Sequence, residues 1–64
     1  MASAETNRSK IVARLTRDGW QLVRHSTEHD ICRRQDGGGL IVVPRHRVLS
    51  PGVARSIAKK AGWL

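Results

Sequence analysis

The chain contains no phenylalanine and no tyrosine; its only large aromatics are Trp20 and Trp63. Proteins that read splayed bases by stacking need several exposed aromatic faces, so phosphate contacts and shape are the better route to any nucleic acid. One cysteine, Cys32, leaves no internal disulfide. Small secreted domains lean on several such bridges, which points instead to a reducing cytoplasm. Residues 1–10, MASAETNRSK, lack the apolar run of a secretory signal, and no stretch is long and apolar enough to cross a bilayer. Acids are scarce as well. Five Asp and Glu stand against twelve Lys and Arg, for a formal net charge of +7. That excess points to a phosphate-rich partner. A basic membrane-surface helix fits less well, because neither predicted helix has a broad face of bulky apolar residues.

The 64 residues make one domain. A domain of this size buries only about 60% of its unfolded surface. The core has to come from Leu, Ile, Val, Ala and two indoles, so support from a partner or from self-association is expected.

Residues 1–8 read as a flexible start and residues 9–64 as the folded domain. Ser9, with Thr6 as a competitor, can cap a first helix through KIVARLTRD. Ile11, Val12 and Leu15 share one side of it, and Gly19 is a left-handed terminator. WQLVRH alternates as a strand, with Trp20, Leu22 and Arg24 on one face and Gln21, Val23 and His25 on the other. HDICRR is a second strand, QDGGG a turn in which Asp36-Gly37 signals a hairpin, and LIVVP a third strand. RHRVL is a basic loop. In SPGVARSIAKKAGW, Ser50 caps a second helix, Pro51 takes its first position and Gly62 stops it. Ala54, Ile57, Ala58 and Ala61 form its narrow apolar stripe. The order α-β-β-β-α is an α+β fold: a three-stranded antiparallel sheet with two helices on one face.

The segment RHSTEHDICRR, residues 24–34, carries the chemistry of most interest. His29 is flanked by Glu28 and Asp30, and a carboxylate can hold an imidazole in one tautomer. Arg24, Arg33 and Arg34 can gather phosphate around it. A neutral histidine beside a phosphodiester can take the proton of a ribose 2′-OH, and a cation can stabilise the phosphoryl oxygens as charge builds. His46, in PRHR between Arg45 and Arg47, is an acid partner, a phosphate contact or an ordinary loop residue. His25 ranks third. Arg55, Lys59 and Lys60 are a solvated helix face or a grip on a phosphate backbone or an acidic partner.

Metal and nucleophile chemistry fit poorly. His29 and Cys32, three apart, fall on opposite faces of a strand, and no CxxC or HxxxH spacing occurs. Cys32 is expected in or near the core. DGGG lacks the spacing and the following helix of a phosphate-cradling loop.

Taken in order, DGW at residues 18–20, LVRH followed by TEHDICRR, LIVVPRH, and LSPGVARSIAKKAGW resemble the HicA toxins, small mRNA interferases of toxin–antitoxin pairs. The likeness runs from residue 9 to residue 64. It implies a double-stranded-RNA-binding-like α-β-β-β-α fold and a metal-independent, cofactor-free endoribonuclease that cuts mRNA and arrests growth. It places the catalytic histidine at His29. The implied partners are mRNA and a HicB-type antitoxin, with DNA met only through the antitoxin. The chain departs from the family in having Thr27-Glu28 where many members have Gly-Ser, Cys32 where many have an aromatic, and Arg34-Gln35 in place of a His-Pro pair. The RNA-contacting set is then Arg24, Arg33, Arg34, Arg45, His46, Arg47, Arg55 and Lys59. The alternative is a non-catalytic RNA-binding module, or a basic adaptor for an acidic protein, on the same fold.

Overall fold

A computed structural model describes residues 4–64. Helix α1 spans Arg8–Arg17. Its cap is Asn7, whose side-chain oxygen accepts from the Lys10 amide at 3.2 Å, and not Ser9 or Thr6. Tertiary pairing explains the shift. Thr6 O accepts from Leu49 N at 2.8 Å, and Arg8 N donates to Arg47 O at 3.0 Å. Asn7 bridges Val48. These bonds keep the chain extended through Asn7, so the helix begins at Arg8, two residues before a Ser9 cap would start it and one after a Thr6 cap would. Within the expected flexible start of residues 1–8, residues 6–8 are bonded to the chain ahead of the second helix; residues 1–3 lie outside the described residues.

Strands β1 (Trp20–His25), β2 (His29–Arg34) and β3 (Leu40–Pro44) form an antiparallel sheet in the order β1-β2-β3. Gly19, at φ +95°, turns the chain from α1 into β1, a conformation that glycine adopts without steric cost. The bend between β2 and β3 is closed by Gly37 N to Arg34 O at 3.0 Å and Gly38 N to Asp36 Oδ1 at 2.8 Å. Helix α2 spans Pro51–Lys60, capped by Ser50.

Both helices cover one face of the sheet. Ile11 and Leu15 of α1, Ala54 and Ile57 of α2, and Trp20, Cys32, Ile41, Val43 and Leu49 make one buried cluster. The fully buried Ile11, Leu15, Ile41 and Val43 each contribute roughly 1.5–3 kcal/mol by leaving water. The inward face of β2 is thus the set Asp30 and Cys32. His29, Ile31 and Arg33 face the open side, with Ile31 opposite Val42 and Arg33 opposite Leu40.

The expected face assignment of β1 needs one correction. The register shifts between Leu22 and Arg24, so that Leu22 pairs with Cys32, Arg24 with Ile31 and His25 with Asp30. Val23 is the extra residue of a β-bulge. Beyond it, Arg24 leaves the Trp20 and Leu22 face for the open side, and His25 takes the inner side next to Asp30.

Candidate functional site

His29 opens β2 directly after a three-residue connection, residues 26–28. Ser26 closes that connection. Its amide donates to His29 O at 3.0 Å and its hydroxyl reaches the same oxygen at 2.8 Å. The His29 amide donates back to Ser26 Oγ at 3.0 Å. The backbone of His29 is therefore held on both sides while its side chain stands exposed.

Pairing of β2 with β3 sets His29 opposite Pro44, which brings the residues after β3 beside the same turn. Arg45 N donates to Glu28 O at 2.9 Å and Arg45 Nη1 to Ser26 O at 3.1 Å. The result is an open cleft of about 270 Å³ lined by Thr27, Glu28, His29, Arg45 and His46. Two imidazoles, one guanidinium and one carboxylate share it.

Asp30 does not serve His29. It turns inward, is 4% exposed, and gathers two guanidinium groups and an imidazole. The Arg8 guanidinium pairs with Oδ2, His25 Nδ1 lies 2.7 Å from Oδ1, and Arg45 Nε lies 3.8 Å from Oδ1. Oδ1 accepts no hydrogen bond among the described residues. Arg8 also donates from Nε to Pro44 O at 3.1 Å, so α1 is clamped to β2 and β3 at the cleft end of the sheet. Among the described residues no carboxylate pairs with His29. Burial, reinforced by the Asp30 charge and opposed by Arg8, pushes the Cys32 thiol above its ordinary pKa.

The sequence-expected residues fall into groups. Arg45 and His46 join His29 in the cleft. Arg24 lies on the open face with His29, across from Ile31. Arg33 and Arg34 end β2, four and five residues on, roughly 13 and 17 Å along the strand. Arg34 is further engaged, 3.5 Å from Asp36 Oδ2 and 5.9 Å from the Trp20 ring centroid. Arg47, Arg55 and Lys59 are exposed outside the cleft lining. The residues that sequence reasoning missed are Arg8, assigned to a flexible start, and the His25–Asp30 contact, which the Val23 bulge creates and no side-chain pattern announces.

Among the described residues, no three His, Cys, Asp or Glu side chains are grouped to hold a metal ion, and no helix is long and apolar enough to cross a membrane. Residues 8–63 match the family described as HicA toxin of bacterial toxin-antitoxin. No curated protein matches the chain.

Proposed function

The chain belongs to the HicA toxin family of bacterial toxin–antitoxin systems, and on that premise we propose that it is an endoribonuclease that cuts mRNA with His29 as general base. The observation that supports this most directly is the shared cleft, in which His29, His46 and Arg45 are held around one open space.

The chemistry follows from those groups. The neutral His29 imidazole takes the proton of a ribose 2′-OH. The freed 2′-oxygen bonds to the adjacent phosphorus as the bond from phosphorus to the 5′-oxygen breaks. The leaving 5′-oxygen takes a proton from His46, and the products are a 2′,3′-cyclic phosphate end and a 5′-hydroxyl end. Arg45 pairs with the phosphoryl oxygens as their charge grows. Arg24, Arg33, Arg34, Arg47, Arg55 and Lys59 contact phosphates away from the cut. No metal or other cofactor enters these steps.

Membership in this family makes an antitoxin protein the cognate partner. In this reading it is a HicB-type protein that covers the cleft in the cytoplasm and supplies any contact with DNA.

The test is induced expression of wild type and His29→Ala in a bacterial host, with growth and total mRNA integrity followed together. Wild type is expected to arrest growth and degrade mRNA, and the variant at equal protein level to do neither. Equal toxicity of the two, or harmlessness of both, overturns the assignment of His29.

A further inference from the structure

A second concavity lies on the outer side of α1, away from the cleft lining. It encloses about 300 Å³ and is bordered by Lys10, Arg14, Arg17, Trp63, Ile11, Ala13 and Glu5. Lys10, Arg14 and Arg17 follow one another at spacings of four and three residues, which sets them in one row along a helix. All three are exposed, and none forms an ion pair among the described residues. The one carboxylate in the lining, Glu5, is turned onto the backbone, its Oε2 accepting from the Thr6 and Asn7 amides at 3.1 Å each.

The row is built around a fixed aromatic. Trp63 Nε1 donates to Asp18 Oδ2 at 2.6 Å, which ties the chain after α2 to the end of α1. The Arg14 guanidinium lies over the Trp63 ring, 4.3 Å from its centroid, a cation–π contact that favours this placement of the charge. The row also points to the cleft. Arg8, which opens α1, touches Asp30 and Pro44 at the cleft end of the sheet. From there Lys10, Arg14 and Arg17 lie roughly 3, 9 and 13 Å along the helix axis.

We propose that Lys10, Arg14, Arg17 and Trp63 form a second RNA subsite that holds the phosphates of a single strand beyond the point of cutting. The proposal rests on the ribonuclease reading for the identity of its ligand. The subsite adds no chemistry. It lengthens the contact with RNA, so it acts through KM on long substrates and leaves a dinucleotide, which occupies the cleft alone, untouched.

The experiment compares wild type with the variant Lys10→Gln, Arg14→Gln, Arg17→Gln, whose exposed positions make folding easy to verify by circular dichroism. Cleavage is followed on a dinucleotide and on a 12-nucleotide single strand across a salt series. Three lost phosphate contacts are expected to raise KM for the long strand roughly tenfold at low salt and to flatten its salt slope by about 2. Dinucleotide cleavage is expected to stay within about twofold, the cleft groups being unchanged. In a His29→Ala background, binding of the uncut 12-mer is expected to change the fluorescence of Trp63, identified by its absence in Trp63→Phe, and the triple variant is expected to lose that change. An unchanged KM and salt slope, or RNA binding with no Trp63 signal, overturns the proposal. A wild type that neither binds nor cuts RNA overturns this proposal and the ribonuclease reading together. A raised KM in the triple variant alongside full activity of His29→Ala leaves the subsite standing and removes only the assignment of the base.

Discussion

His25 Nδ1 lies 2.7 Å from Asp30 Oδ1, on the inner side of the sheet behind the strand position that presents His29 outward. The contact exists because Val23 is an extra residue in β1. It makes Asp30 the junction of four elements: α1 through Arg8, β1 through His25, the loop after β3 through Arg45, and β2 itself. The residue next to the candidate base is thus the anchor of the surrounding scaffold.

Removing that anchor is expected to be costly. Asp30→Ala leaves the Arg8 guanidinium, whose side chain is 24% exposed, without its counter-charge. Breaking such a pair costs about 3 kcal/mol or more, a large part of the stability of a small domain. Urea unfolding followed by far-UV circular dichroism measures it. Replacing both partners, Arg8→Met with Asp30→Leu, is expected to recover most of the loss. A single variant within about 0.5 kcal/mol of wild type contradicts the anchoring role.

Glu28 lines the cleft with His29, where a second negative charge faces an arriving phosphate. Glu28→Gln is expected to lower KM for RNA several-fold at low ionic strength, with the gain shrinking as salt screens the repulsion. Initial-rate kinetics at two salt concentrations decide it. An unchanged or raised KM at low salt shows that Glu28 does not repel the substrate.

The raised pKa of Cys32 sets an alkaline limit to stability. The folded state holds the thiol proton more tightly than the unfolded state, so stability is fully present below the unfolded thiol's pKa. It declines as pH rises through the window between the unfolded and folded values. Unfolding midpoints of wild type are expected to fall faster above that threshold than those of Cys32→Val, which has no proton to lose. Parallel alkaline profiles of the two proteins rule this contribution out.

Gly19 sits at φ +95° with nothing within 4 Å of the position a Cβ would take. A side chain there meets no neighbour, so the cost of Gly19→Ala is the backbone conformation alone, about 1–2 kcal/mol. Thermal unfolding reads this directly, and a neutral substitution means that the turn relaxes into another conformation.

The elements were legible because their signals are local. WQLVRH, HDICRR and LIVVP coincide with β1, β2 and β3. Gly19, Ser50, Pro51 and Gly62 stand at the ends they announce, since turn and cap chemistry depends on a few adjacent residues. The inward face of β2 was not legible. HDICRR alternates two mixed sets, His29, Ile31 and Arg33 against Asp30, Cys32 and Arg34. Only packing beside Ile41 and Val43 under the helices selects Asp30 and Cys32 of the second set as buried, while Arg34 at the strand end stays exposed. The Asn7 cap was hidden for a related reason, because it depends on pairing with Val48, far away in sequence.

The candidate site divides along the same line. By itself the sequence determined a basic α-β-β-β-α chain of the HicA toxin family, with a histidine at the start of its second strand. Only the tertiary structure decided that Arg45 and His46 share a cleft with His29, that Arg33 and Arg34 lie at the far end of the strand, and that Asp30 turns away to Arg8 and His25. Antiparallel register and one unpaired backbone residue set those distances, and neither leaves a mark in side-chain periodicity.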